Sequence, residues 1–296
     1  MSPFYDQLPD IPADRPVLIA GPTASGKSAL AMDIAQKHGG LIINADAIQV
    51  YDNWRILTAR PSPADERATA HALYGHVRGD TAYSVGQWLR DITPLLSGVR
   101  PIIVGGTGLY FNALTKGLAE IPQTPPQVRD QSTQRINDDG IESLLQALDP
   151  QTRARIDIQN PVRIQRAWEV LETTGIGLAA WQDATPAPIL PADACACLVF
   201  DVDKDWLNAR IAQRFDQMIA NGALDEAQSN LSSWNPALLS AKVIGAPQLI
   251  AVLKGELSLE NASELATIAT RQFAKRQRSW FRSKMKDWHA IHNTRA

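Results

Sequence analysis

Residues 21–28 read Gly21-Pro22-Thr23-Ala24-Ser25-Gly26-Lys27-Ser28, a full match to G-x-x-x-x-G-K-[ST]. An apolar run, Val17–Ala20, leads into it, and Ala29–His38 follows with Leu30 and Ile34 at helical spacing. This strand–loop–helix setting constrains the fold more than any other feature of the chain. Several backbone N–H groups must converge on phosphate oxygens, which needs a tight loop with glycines at its ends. The helix adds the positive end of its dipole. Lys27 supplies a cation and the Ser28 hydroxyl a ligand for Mg²⁺. The candidate diphosphate- or nucleotide-binding residues are therefore Gly21, Pro22, Thr23, Ala24, Ser25, Gly26, Lys27 and Ser28.

Two more apolar runs, Leu41-Ile42-Ile43 and Pro101-Ile102-Ile103-Val104, end at Asn44-Ala45-Asp46 and Gly105-Gly106. Between them Ser84–Leu96 carries Val85, Trp88, Leu89, Ile92 and Leu96 on one helical face. Continuous apolar strands alternating with helices predict a parallel sheet covered on both faces. From about residue 117 the chain turns polar and helical, bounded by Pro-rich Glu120–Gln127 and Pro/Ala-rich Thr185–Ala192; Cys195–Phe200 then reads as a fourth strand. The fold class expected is α/β: a P-loop NTPase-like parallel sheet core over 1–116 and 196–296, ending in a basic helix. Residues 117–195 form a small all-helical insertion, and residues 1–15, rich in Pro and Asp, form an arm.

Asp46 ends its strand, so it is expected at the carboxyl edge of the sheet, where open α/β folds bind ligands. There a carboxylate can order Mg²⁺ or take a proton from an acceptor; a helix-capping Asp is the plainer alternative. The 296-residue chain has a net charge of −2, so any attraction to nucleic acid must be local. It is local at the C-terminus. Arg271, Lys275, Arg278, Arg282 and Lys286 are spaced 4, 3, 4 and 4 apart, one helical stripe, and the seven basic residues of 271–286 include no acid between them. Such a stripe suits RNA phosphates, with a solvated face as the alternative. Cys195 and Cys197 are expected to be core thiols of a reducing, cytoplasmic compartment. No run is long and apolar enough for a membrane span. Trp168, Trp181, Trp206 and Trp234 are expected as packing anchors. His71 and His76 are assigned no metal.

These pieces together resemble the bacterial tRNA dimethylallyltransferases. The residues that carry the resemblance are Gly21–Ser28, Asp46-Ala47-Ile48-Gln49-Val50-Tyr51, Thr58-Ala59-Arg60-Pro61 and Gly105-Gly106-Thr107-Gly108-Leu109-Tyr110. Arg163-Ile164-Gln165-Arg166-Ala167-Trp168-Glu169-Val170, Arg210-Ile211-Ala212-Gln213-Arg214-Phe215, Thr270-Arg271-Gln272 and Lys275-Arg276-Gln277-Arg278-Ser279-Trp280 follow in order. The resemblance implies transfer of a dimethylallyl group from dimethylallyl diphosphate to N6 of the adenine on the 3′ side of the anticodon, with Mg²⁺. Asp46 would be the general base, and Thr23 and Arg214 would act on the leaving diphosphate. It further implies tRNA contacts at Asp46, Ala47, Ile48, Gln49, Thr107, Arg129, Val162, Arg163, Ile164, Gln165, Arg166 and Lys242. Lys275, Arg276, Arg278 and Arg282 would join them, in a protein acting as a monomer. By spacing alone, Arg163 and Arg166 read equally well as helix surface. The run Val243-Ile244-Gly245-Ala246-Pro247 departs from the family at a position where many relatives carry an aromatic after Ile-Gly.

Three rivals share parts of this pattern. A small-molecule P-loop kinase would keep the loop and Asp46 but needs no basic helix. An adenylate isopentenyltransferase would act on free AMP or ADP without the insertion. A nucleotide-gated RNA-binding switch would not depend on Asp46.

Overall fold

The structure is a computed structural model that describes residues 2–293. Its described residues divide into two compact units, residues 2–115 with 190–293, and Lys116–Ile189.

The first unit is built on one parallel sheet in the order β3-β2-β4-β1-β5-β6. Its strands are β1 (Val17–Ala20), β2 (Leu41–Asn44), β3 (His71–Ala72), β4 (Pro101–Gly105), β5 (Ala196–Phe200) and β6 (His289–Ile291). In register, Val17 faces Ile102 on one side and Ala196 on the other. All four β1 residues are fully buried. This explains the unbroken apolar run: a central parallel strand has no wet face on which to alternate. β3 and β6, with two and three residues, are too short to carry a readable period.

Helix α1 (Lys27–His38) packs Leu30 and Ile34 with Ile42, Ile102 and Val104. α2 (Pro63–Ala68) and α3 (Val85–Ile92) follow. α3 starts in a capping box of Ser84 and Gln87 and runs into a 3-10 turn, Thr93–Leu96, so the predicted helix is real but tightens at its end. α4 (Gly108–Lys116) leaves the sheet after β4. After β5 come α10 (Lys204–Ala220), α11 (Ala223–Asn230), α12 (Ala246–Leu253) and the 26-residue α13 (Leu259–Lys284).

The second unit holds α5 (Pro126–Asp139), α6 (Ile141–Gln146), α7 (Pro150–Arg155), α8 (Pro161–Thr174) and α9 (Leu178–Asp183). Leu144, Leu145, Leu148, Ile164, Ala167 and Trp168 form its core.

Two expectations change. The insertion ends earlier than residue 195, because the Leu190 N–H already donates to Leu114 O at 3.1 Å and returns the chain to the first unit. The N-terminal segment is not a loose arm either: Phe4 is buried and meets Phe200 and Trp206 edge-on, with ring centroids 5.0 and 6.2 Å away. Composition hid this, since Phe4, helped by Tyr5, Leu8 and Ile11 packed on the same core, anchors a segment otherwise rich in prolines and acids. Cys195 is buried, Cys197 is half-buried, and both are free thiols.

Candidate active site

The phosphate loop occupies the end of β1. Gly26 has φ +97° and an added Cβ would sit 2.7 Å from the Phe4 ring, so glycine is required twice over. Gly26 also caps α1 with no side-chain hydrogen bond, leaving the first N–H groups of α1 without a side-chain acceptor. The Lys27 ammonium donates to Pro22 O at 3.3 Å. Burial lowers its pKa to about 8; Asp46 pulls it back up and Arg214 pushes it down further. An anion bound here would offset that desolvation.

Asp46 stands at the end of β2, and the turn that follows is held from several sides. Asn44 Oδ1 accepts the Asp46 N–H at 2.8 Å, and Asn44 Nδ2 donates to Asp46 O and Leu73 O, both at 3.0 Å. The buried Trp88 indole donates to Asn44 O at 2.8 Å. Asp46 Oδ1 accepts from the Ile48 N–H at 3.1 Å. Oδ2 lies beside Gly106, 3.2 Å from where a Cβ on that glycine would fall. The phenols of Tyr74 and Tyr110 are pushed up, first by burial and then by Asp46, and so remain neutral.

Arg214, on α10, has its pKa lowered by burial first, with Asp46 opposing and Arg210 adding to the shift. One turn earlier Arg210 lies over the Trp206 ring, 4.8 Å from its centroid, and donates to Ala24 O of the phosphate loop at 2.9 Å. Asp46 and Arg214 meet Thr23 of the phosphate loop around a cavity of about 320 Å³. Thr23, Asp46, Gln49, Thr58, Arg214, Lys242, Thr270 and Arg276 supply its polar lining, and Ile48, Leu57, Ile211, Phe215, Met218, Val243, Ile244 and Phe273 its apolar lining. Gly245, in the run that departs from the family, has φ +97°, and a Cβ there would meet Phe215 and Leu57 at 2.9 and 3.0 Å. A separate cavity of about 350 Å³ includes Asp52, Asp80 and Arg78 in its lining, but Arg78 is tied to Asp80 at 2.8 Å. That pairing leaves it poorly suited to a diphosphate.

The remaining predicted residues fall into distinct environments. Thr107 Oγ1 accepts the Ala47 N–H at 2.9 Å while its own N–H donates to Ala45 O at 3.1 Å, so it latches the Asp46 turn. Gln49 Nε2 donates to Thr58 O and Ala59 O. In the second unit Arg129 and Val162 are exposed, and Arg163 is exposed beside Asp157 at 3.7 Å. Gln165 donates to Ser132 Oγ at 2.8 Å and Arg166 to Thr124 Oγ1. Ile164 is a correction. It is 2% exposed within the insertion core, so its side chain cannot reach RNA.

The basic stripe is also uneven. Arg271, Lys275 and Arg276 are exposed, but Arg282 is engaged with Asp201 at 2.9 Å, and Lys286 lies past the end of α13. Arg278 is half-buried and, among the described residues, its buried Nε has no partner. The sequence reading missed two positioning groups. Glu226 accepts the N–H groups of Arg55, Ile56 and Leu57 at 2.5, 2.8 and 3.0 Å, and buried Gln277 joins Thr23 to Gly106. Glu226 lies in no motif; Gln277 lies inside the run 275–280 that carries the resemblance, but nothing local assigns it a role, because the partners of both residues lie over 150 positions away.

Among the described residues no group of three or more His, Cys, Asp or Glu side chains could hold a metal alone. Exposed Ser28, at the start of α1, offers one hydroxyl ligand. That donor set fits Mg²⁺, which keeps waters and is completed by substrate phosphates.

Fold and site define a phosphate-loop α/β protein that can hold a diphosphate ester next to a carboxylate and an apolar wall. The IPP transferase family model matches residues 49–284 and the isopentenyl transferase model residues 15–74. A tRNA dimethylallyltransferase from Ruegeria sp. is 60% identical over 282 residues, 95% of this chain and 96% of that protein. The tRNA delta(2)-isopentenylpyrophosphate transferase structure from Staphylococcus epidermidis is 30% identical, with a TM-score of 0.63 over 94% of this chain and 93% of that one. A eukaryotic dimethylallyltransferase solved acting on tRNA shares the fold at a TM-score of 0.80 and 23% identity, over 94% of this chain and 73% of that one. The chain belongs to the IPP transferase family.

Proposed function

We propose that this protein transfers the dimethylallyl group of dimethylallyl diphosphate to N6 of the adenine on the 3′ side of the anticodon in tRNA, releasing diphosphate. The observation that carries the reading is the single cavity in which Thr23, Arg214 and Asp46 face an apolar wall. A kinase site for a polar acceptor has no use for Leu57, Phe215, Met218 and Val243 in that position. A five-carbon allylic group does.

The chemistry is substitution at the allylic carbon. Its bond to the diphosphate oxygen breaks with the electron pair leaving on the diphosphate, while the N6 lone pair forms the new C–N bond. The adenine amine is a poor nucleophile because its lone pair is delocalised into the ring. Asp46 accepts the N6 proton at Oδ2 as the bond forms, which lowers the barrier. Negative charge grows on the leaving diphosphate. The loop N–H groups, Lys27, Thr23 and Arg214 are preorganised to meet it in a site of low dielectric. Mg²⁺, held by Ser28 and the phosphates, would supply further charge neutralisation. The loop recognises a diphosphate irrespective of what carries it, so ATP is not required.

On the RNA side, Lys275, Arg276 and Arg278 of α13, Lys242 at the cavity, and Arg129, Arg163 and Arg166 of the insertion are the proposed contacts. The target base must leave its stack to reach the cavity. The proposal covers a cytoplasmic enzyme that works as a monomer on tRNA.

The test combines purified protein, labelled dimethylallyl diphosphate and Mg²⁺ with an anticodon stem-loop, with AMP, or with neither. Label is expected in the stem-loop alone. Asp46→Ala, Lys27→Ala and Arg214→Ala are each expected to lose at least ~100-fold in rate. Label in AMP with none in RNA would contradict the proposal, as would ATP turnover without RNA.

A further inference from the structure

We infer that Gln277 is a positioning residue, tying the diphosphate trap to the strand end beside Asp46 and carrying helix α13 into the reacting centre. Gln277 is 6% exposed. Its Oε1 accepts the Thr23 N–H at 2.9 Å, and its Nε2 donates to Gly106 O at 2.9 Å. Thr23 belongs to the phosphate loop after β1, and Gly106 follows β4, the neighbouring strand. One planar amide therefore links the phosphate loop at Thr23 to the end of β4 at Gly106, one residue beyond the last backbone bond between them, Gly21 N–H to Gly105 O at 3.3 Å.

The geometry leaves little room for another side chain. A backbone N–H needs an acceptor and a carbonyl needs a donor, so the amide orientation is dictated by its partners. A carboxylate supplies no donor and a hydrocarbon supplies neither. A Cβ on Gly106 would sit 2.3 Å from Gln277 Nε2 and 3.2 Å from Asp46 Oδ2, so the amide and the carboxylate press on the same glycine from two directions. With its N–H committed to Gln277, Thr23 presents its remaining groups to the cavity.

The neighbours of Gln277 on α13 give the bridge a second consequence. Arg276 lines the cavity, and the Nε of half-buried Arg278 is buried without a partner. RNA that engages these arginines pulls on the helix turn that holds Gln277, and so acts on the spacing between trap and carboxylate.

This inference rests on the transfer reading, so the full-length protein is assayed in two ways. The first is single-turnover transfer from labelled dimethylallyl diphosphate to an anticodon stem-loop, with stem-loop affinity measured alongside. The second is calorimetric binding of isopentyl diphosphate, a saturated five-carbon diphosphate that cannot ionise as an allyl group does, without RNA.

Gln277→Glu keeps an acceptor for Thr23 but sets a carboxylate against Gly106 O until it is protonated. Its transfer rate is expected to fall at least tenfold, roughly, near pH 8 with stem-loop affinity changed less than about threefold. Its rate relative to the unsubstituted protein should recover by about fivefold or more on going to about pH 5.5, since the buried acid form can donate. Gln277→Leu should lose a similar factor with no recovery. Gly106→Ala, which attacks the bridge from the other side and leaves α13 intact, should lose about tenfold in rate.

All three should bind isopentyl diphosphate more weakly. Unsubstituted rates and binding in these variants would overturn the inference. So would a loss explained wholly by RNA affinity, or a Gln277→Glu ratio that is flat with pH. If the unsubstituted protein transfers nothing, the transfer reading fails, and diphosphate binding in the three variants still decides the bridge.

Discussion

Taking Lys27 out of water disfavours its charged form, and Arg214 adds to that penalty while Asp46 works against it. The sign of the pH dependence follows. The folded-state pKa lies near 8, below the model-peptide value, so the empty site loses its cation as pH rises through about 8. A bound diphosphate favours the charged form again, so binding takes up a proton above that pH and weakens as pH climbs further. Isopentyl diphosphate suits the measurement, because its own last ionisation lies well below pH 8. Calorimetry in buffers of different ionisation enthalpy should show proton uptake near pH 8.5, on the order of half a proton or more. Lys27→Arg should abolish it, since arginine stays charged throughout. Affinity that holds constant from about pH 7 to about pH 9.5 would contradict this account of the loop. The strand–loop–helix shape of this segment was legible in the sequence because its glycines and helix start are local; Gln277 and Arg210, which hold Thr23 and Ala24 from α13 and α10, were not.

At the scale of elements, legibility tracked length and locality. β1, β2, β4 and β5 are buried apolar runs and stood out, whereas β3 and β6 exist because a neighbouring strand offers them a ladder. The Arg55–Leu57 turn is a similar case. Glu226 on α11 accepts three consecutive N–H groups there, and Leu57 and Thr58 then line the cavity. No local signal in residues 55–58 announces a carboxylate from α11. Glu226→Gln removes one of the two acceptor oxygens, turns an amide donor toward backbone N–H groups, and should cost about 1–3 kcal/mol in chemical denaturation. It should also weaken isopentyl diphosphate binding; unchanged stability and binding would refute the bracing role. On α13 the basic stripe predicted from spacing is a mixture. Arg282 faces Asp201 with both side chains partly exposed, so Arg282→Ala should change stability by less than about 1 kcal/mol. Arg278→Glu should instead weaken stem-loop binding and reduce the slope of affinity against salt, readable in a salt titration. A loss of turnover at Arg278 with RNA affinity intact would reverse this division of labour. Spacing showed which residues share a face of α13 and could not show that Asp201, 81 positions earlier, had claimed one of them.

For the whole molecule, the interrupted core follows from where the chain leaves and returns. Leu190 N–H bonds to Leu114 O at 3.1 Å, so the two ends of the insertion already lie together within the first unit. Replacing residues 116–189 with a short Gly/Ser linker should therefore leave a folded core that binds isopentyl diphosphate, because closing a short loop between adjacent ends costs little. The same protein should lose transfer to the stem-loop. A truncated core that will not fold would contradict the independence of the two units, and one that modifies RNA normally would remove the insertion from the reaction. The sequence shows the composition change near residue 117 but places its return six residues late, at 196 and not 190, since a Pro/Ala-rich link looks alike on either side of a single backbone hydrogen bond.

In the proposed reaction the diphosphate and the adenine amine meet Asp46 in one cavity during the chemical step. Single-turnover transfer by Asp46→Asn, which keeps the shape and removes the base, addresses it directly. The account predicts a rate lower by at least ~100-fold, with affinities for isopentyl diphosphate and stem-loop within about threefold of the unsubstituted protein. A near-normal chemical rate, or a loss that disappears once both ligands are saturating, would contradict it.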